Sequence, residues 1–64
     1  MDLDTPSLRV LVVEDDPALL LNIRQQLLRL GHEVFEASTS QQAWRVYLDK
    51  SPQLILLDVL LPDN

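Results

Sequence analysis

The sequence lacks cysteine and has one glycine, few basic residues and no long apolar segment. Without cysteine, no disulfide can compensate for the small core that 64 residues can form. Ten acidic against five basic residues give a formal net charge of −5, the wrong sign for a surface that binds nucleic acid phosphates. The longest apolar runs have four residues, too few to cross a bilayer. We expect one small acidic domain that contacts neither nucleic acid nor membrane.

The amino-terminal residues, MDLDTPS, mix acidic and polar residues with proline and show no periodicity. We interpret residues 1–7 as a flexible tail and residues 8–64 as the folded part. This terminus has neither the basic opening nor the apolar run of a secretion signal, so we expect a cytoplasmic protein.

Five segments alternate between strand and helix patterns. Residues 10–13 and 54–57 are uninterrupted aliphatic runs, which is typical of strands buried on both faces of a parallel sheet. The shorter, mixed segment 34–37 predicts an edge strand. Between the strands, the sequence predicts helices over residues 17–30 and 40–49.

Both predicted helices carry start signals and an apolar stripe. Asp16 before Pro17 is a cap signal, and Thr39 with Gln42, or Ser38 with Gln41, matches a capping box. Gly31 suits a left-handed terminator. The stripe predicted to face the sheet is Leu19, Ile23, Leu27 and Leu30 in the first helix, and Ala43, Trp44, Tyr47 and Leu48 in the second.

The order strand, helix, strand, helix, strand predicts an α/β fold with parallel pairing and right-handed crossovers. If the third strand lies on the other side of the first, the sheet order is 2-1-3. Ligands of such sheets bind beyond the carboxyl ends of the strands, at the switch point between the first and third strands. Glu14, Asp15 and Asp16 follow the first strand there, and Asp58 follows the third.

These carboxylates repel one another. Two unit charges about 4 Å apart repel by about 4 kcal/mol at an effective dielectric near 20, which is comparable with the whole stability of so small a domain. A cation should therefore offset them. Carboxylate oxygens suit Mg²⁺, which takes one or two protein carboxylates and keeps several waters.

Three blocks, LRVLVVEDDP, LGHEVFEAS and PQLILLDVLLPD, resemble the receiver domains of two-component response regulators. The resemblance implies a partial flavodoxin-like receiver in which Asp58 accepts a phosphoryl group from a sensor histidine kinase or phosphotransfer protein. It also implies that Glu14, Asp15, Asp58 and the Leu60 carbonyl bind Mg²⁺. Asp16 is better placed as the helix cap. Such a domain is not an enzyme, since at most it catalyses its own phosphorylation and dephosphorylation.

The sequence departs from the family in length, because the last two strands of the 2-1-3-4-5 order are lacking. Lys50 cannot replace the family's phosphate-neutralising lysine, because it lies at the opposite end of the third strand from Asp58. The third strand then has an open edge, through which a homodimer could form. A truncated product, a fragment and a half-domain that dimerises are all compatible with this, and we favour a fragment.

Two other functions stay open. The chain could act only as an interaction or dimerisation module. It could also be a magnesium-dependent phosphatase with an aspartate nucleophile, but those enzymes place a second aspartate where this sequence has Leu60. His32 is a lone histidine in a connector, and we expect an ordinary exposed side chain there.

Overall fold

The computed structural model describes residues 6–57. Along the chain, the elements are β1 (Arg9–Val13), α1 (Pro17–Arg29), β2 (Glu33–Ala37), α2 (Ser40–Lys50) and β3 (Leu54–Leu57). β1 pairs in parallel with β2 on one side and with β3 on the other, so the sheet order is β2-β1-β3. The predicted β-α-β-α-β fold with order 2-1-3 is confirmed. The predicted flexible tail falls largely outside the described residues and stays a prediction.

β1 forms the centre of the molecule. Its last four residues, Val10 to Val13, are at most 1% exposed. Strands flank it on both sides, and both helices contact it. Since α1 and α2 belong to crossovers that run in opposite directions across the sheet, right-handed connections place them on opposite faces. The prediction of a first strand buried on both faces is confirmed.

β3 is much more exposed than its aliphatic sequence predicts. Each of its four side chains is between 36% and 57% exposed, so the predicted burial of Leu54–Leu57 is wrong. Among residues 6–57, β3 pairs with β1 alone, and neither helix packs against it. In this part of the chain, the strand therefore has no partner at its outer edge, and its side chains are partly exposed on both faces.

Helix α1 begins and ends at the predicted signals. The Asp16 carboxylate accepts hydrogen bonds from the N–H groups of Ala18 (3.0 Å) and Leu19 (3.4 Å). Leu30 is the carboxyl cap, and Gly31 has a φ of 88°, the left-handed conformation that glycine adopts without strain.

The predicted stripe of α1 is only half right. Ile23 and Leu27 are half-buried, together with Leu20, whereas Leu19 and Leu30 are exposed. The reason is the position of the helix, which packs on β1 and β2 and not on β3. One flank of its apolar face therefore has no partner in the described part of the chain.

Helix α2 is capped by Thr39, whose Oγ1 accepts a hydrogen bond from the Gln42 N–H at 3.1 Å. The Gln42 Oε1 accepts from the N–H and the hydroxyl of Ser38, both at 2.9 Å, rather than from the Thr39 N–H as in a standard capping box. The helix ends at Lys50, and Ser51 adopts a left-handed φ of 50°. Thr39 and Gln42 therefore form the capping pair. The hydrogen bond of the Gln42 side chain goes back to the backbone of Ser38, one residue before the cap.

The predicted stripe of α2 is mostly wrong. Ala43 and Val46 pack against the cluster of Leu11, Val13 and Ala37. Trp44, Tyr47 and Leu48, all three assigned to the stripe, are exposed. The smaller side chains of Ala43 and Val46 allow α2 to lie close to the sheet.

Candidate functional site

The acidic run begins directly at the carboxyl end of β1. Glu14 is the first residue after the strand and is only 6% exposed. Its N–H donates to the Ala37 carbonyl at 2.9 Å, which continues the pairing of β1 with β2 by one residue. Asp15 occupies a bend and is exposed, and Asp16 caps α1. The three acids therefore have three different environments.

The Glu14 carboxylate is oriented by the backbone that follows it. Its Oε1 accepts a hydrogen bond from the Asp16 N–H at 3.1 Å. A buried carboxylate needs such partners, because removing its charge from water costs several kcal/mol unless hydrogen bonds or a cation compensate. The bond also closes the turn at Asp15. The side chain is thus held at the rim of the sheet and cannot extend freely into solvent.

The end of β3 lies beside the acidic run. Val13 and Leu57 are register partners, so the chain reaches Glu14 and Asp58 from paired positions. Asp58 and Leu60 themselves lie outside the described residues. The structure therefore brings Glu14 and Asp15 together at the predicted rim, and the predicted roles of Asp58 and Leu60 stay predictions.

The described part of this site fits a hard divalent cation. Glu14 and Asp15 are neighbouring carboxylates, the ligand type and number that Mg²⁺ takes from protein. Within residues 6–57 there is no group of three or more side chains that could hold a metal ion. The other ligands predicted from the sequence, Asp58 and the Leu60 carbonyl, lie beyond this range.

Sequence reasoning missed the contribution of β2 to this rim. The Ala37 carbonyl holds the Glu14 backbone, and Ala37 and Ser38 line an open cavity of about 250 Å³ together with Leu20, Glu36 and Gln42. The register of β1 with β2 places Ala37 beside Val13, but an alanine in a short strand carries no chemical signal that could have revealed this. The cavity has a mixed polar and apolar lining next to the acidic run.

His32 and Lys50 are not part of the acidic rim. The His32 Nδ1 accepts a hydrogen bond from the Leu8 N–H at 3.1 Å, just before β1 begins, and the residue is half-buried. The expectation of an ordinary exposed side chain is therefore wrong. The Lys50 ammonium lies 3.5 Å from the Asp49 carboxylate and 5.9 Å from the centroid of the Phe35 ring.

Neither helix in the described range 6–57 combines the length and the apolar character needed to cross a bilayer.

Comparison with known proteins gives a consistent result. Residues 10–64 match the family model described as the response regulator receiver domain. The chain is 41% identical over 55 residues to the DNA-binding transcriptional regulator NtrC of Azospirillum brasilense, a stretch that covers 86% of this chain and 11% of that protein. It is 42% identical over 53 residues to the phosphate regulon transcriptional regulatory protein PhoB of Pseudomonas aeruginosa, covering 83% and 23%.

A third relative, the transcriptional regulatory protein KdpE of Mycobacterium tuberculosis, is 39% identical over 54 residues, covering 84% of this chain and 24% of that protein. The chain thus spans only between 11% and 24% of the length of these three relatives. No solved structure gives a significant match.

Proposed function

This chain belongs to the response regulator receiver domain family, and we propose that it accepts a phosphoryl group on Asp58 from a sensor histidine kinase or a phosphotransfer protein. The observation that supports this most directly is the register of Val13 with Leu57, because it brings β1 and β3 to the same rim just before Glu14 and Asp58 follow in sequence. A nucleophile and an acidic pair on adjacent strand ends are what phosphoryl transfer to a carboxylate requires.

The proposed reaction exchanges one bond to phosphorus for another. A carboxylate oxygen of Asp58 forms a P–O bond, the P–N bond of a phosphohistidine breaks, and the imidazole leaves with the electron pair. Both reactants carry negative charge, so the repulsion between them must be lowered. Mg²⁺, when bound, would supply positive charge to both groups. Glu14 and Asp15 would hold it, and the Asp58 carboxylate and the Leu60 carbonyl would complete the protein ligands.

The residues around the rim have separate tasks in this proposal. Glu14 contributes a carboxylate whose direction is fixed by the Asp16 N–H. Asp15 contributes an exposed carboxylate that can move towards a ligand. Asp16 holds the first turn of α1 in place through its cap, so it positions the run without binding the cation.

The wider role follows from the relatives, which are named as transcriptional regulators. We propose a cytoplasmic two-component system in which this chain is the signalling module and is not an enzyme acting on other substrates. Its net charge of −5 argues that any contact with nucleic acid would be made by another part of the system.

Incubation of the chain with acetyl phosphate and Mg²⁺ tests the proposal. Intact-mass spectrometry should detect one added phosphoryl group, which Asp58→Asn abolishes and EDTA prevents. Glu14→Gln should also reduce labelling strongly, because it keeps the acceptor for the Asp16 N–H and removes the charge. Asp16→Asn is the matched control, since asparagine caps a helix as well as aspartate does.

Two outcomes would contradict the proposal. A chain that stays unlabelled while circular dichroism shows that it is folded would exclude phosphoacceptor activity of these residues. Labelling that persists in Asp58→Asn would place the phosphoryl group on another residue.

A further inference from the structure

The peptide group between Ala37 and Ser38 joins the end of β2 to the acidic rim. Its carbonyl accepts a hydrogen bond from the Glu14 N–H at 2.9 Å. Its N–H, which belongs to Ser38, donates to the Gln42 Oε1 at 2.9 Å. A trans peptide group is planar, so these two bonds leave one rigid plane in opposite directions. A tilt of the plane therefore moves both bonds together.

Gln42 is bonded to this peptide group and to α2 at the same time. Its Oε1 also accepts from the Ser38 hydroxyl at 2.9 Å. Its N–H donates to the Thr39 Oγ1 at 3.1 Å, which fixes Gln42 in the first turn of the helix. A backbone N–H can only donate, so the side-chain atom that meets the Ser38 N–H must be the amide oxygen. The position of α2 thus determines where the Ser38 N–H points.

Solvent has access to the bond between Ser38 and Gln42. Both residues line the open cavity of about 250 Å³ next to the acidic run, and Gln42 is exposed. Water could therefore satisfy the Ser38 N–H if the acceptor on Gln42 were removed. A water molecule is not attached to α2, however, so it would leave the tilt of the peptide group undetermined. The Gln42 side chain contributes orientation that water cannot supply.

We propose that Gln42 is a positioning residue for the Glu14 carboxylate and that it acts through the peptide group of Ala37 and Ser38. Glu14 is the first residue after β1 and only 6% exposed, so its side chain goes where its backbone directs it. The Asp16 N–H holds the carboxylate end of this side chain, and the Ala37 carbonyl holds its backbone end. The inference rests on the proposed function, in which this carboxylate binds Mg²⁺.

Amide hydrogen exchange of the 64-residue chain, measured by NMR without metal, tests the inference. Gln42→Met keeps the side-chain length and the helix propensity and removes the acceptor, so the Glu14 N–H should exchange about fivefold faster. The Glu33 N–H is the internal control and should keep its rate, because it bonds to the Leu8 carbonyl at the other end of the same strand pair. Gln42→Glu retains an acceptor oxygen and should restore the rate at Glu14.

Titration with Mg²⁺, followed by the amide signal of Glu14, measures the consequence for the rim. Gln42→Met should bind Mg²⁺ about fivefold more weakly, below the roughly 10–100-fold effect of groups that bond directly to a metal ligand. Gln25→Met is the matched control, because Gln25 is an exposed glutamine of α1, and its affinity should equal that of the unmodified chain. Gln42→Glu is left out of this titration, because its added charge would itself attract the cation.

The two measurements separate this inference from the proposed function. Unchanged exchange at Glu14 in Gln42→Met, or equal acceleration at Glu14 and Glu33, would overturn the inference whatever the chain does with Mg²⁺. Equal Mg²⁺ affinity of Gln42→Met and of a metal-binding unmodified chain would also overturn it. Absence of Mg²⁺ binding by the unmodified chain would contradict the proposed function, and the exchange rates would still decide whether Gln42 positions Glu14.

Discussion

At the scale of single residues, the three neighbouring carboxylates of residues 14–16 each have a different environment. Glu14 is buried and acts as an acceptor for backbone, Asp15 is exposed, and Asp16 caps a helix. A substitution that keeps the acceptor and removes the charge therefore distinguishes a metal ligand from a structural acceptor. Glu14→Gln and Asp16→Asn both meet this condition, which is why their comparison in phosphorylation is informative.

His32 gives a prediction about stability. Its Nδ1 is the acceptor for the Leu8 N–H, which belongs to a segment 24 residues earlier in the chain. His32→Phe keeps the aromatic ring and removes the acceptor, so the free energy of unfolding should fall by about 1 kcal/mol. Urea denaturation followed by circular dichroism measures this. Unchanged stability in His32→Phe would mean that water satisfies the Leu8 N–H equally well.

The cap and terminator roles of single residues could be predicted from the sequence. A hydrogen-bond partner in a distant element could not. Asp16, Gly31 and Thr39 act on backbone within a few residues, and each has the predicted cap or terminator role. The partner of His32 lies in another element, so it depends on how β1 and the connector before β2 come together. Nothing in the residues around His32 indicates that partner.

At the scale of elements, the limits of the two helices were predicted well and the faces they bury were not. A stripe of apolar residues limits which face of a helix can be buried. The position of the helix on the sheet determines which flank of that face is covered. In α2 the face with small side chains, Ala43 and Val46, packs on Leu11 and Val13. Trp44 and Leu48 have more apolar surface and are nevertheless exposed.

Two truncations in α2 test this rotation of the helix. Val46→Ala removes methyl groups that pack against the core cluster, so we expect a loss of about 1 kcal/mol in the free energy of unfolding. Leu48→Ala removes a larger but exposed side chain and should change stability by less than about 0.5 kcal/mol. Both are measured by urea denaturation at one protein concentration. A larger loss for Leu48→Ala would show that the stripe predicted from sequence is the buried one.

The burial of a strand is also decided by its neighbours. Residues 10–13 and 54–57 are both aliphatic runs of four residues, so the sequence predicts that both strands are buried. β1 has a strand on each side and both helices in contact with it, whereas β3 has β1 alone among residues 6–57. Composition predicts that a strand can be buried, and only the assembled sheet shows whether it is.

At the scale of the whole molecule, topology carried the prediction of the site. Alternating strands and helices led to order 2-1-3, and that order places the ends of β1 and β3 together at one rim. The position of Glu14 and Asp15 at that rim could therefore be predicted from the sequence, and their role as metal ligands stays a prediction. The packing of α1 and α2 around the rim could not be predicted, because it depends on which parts of the sheet are covered.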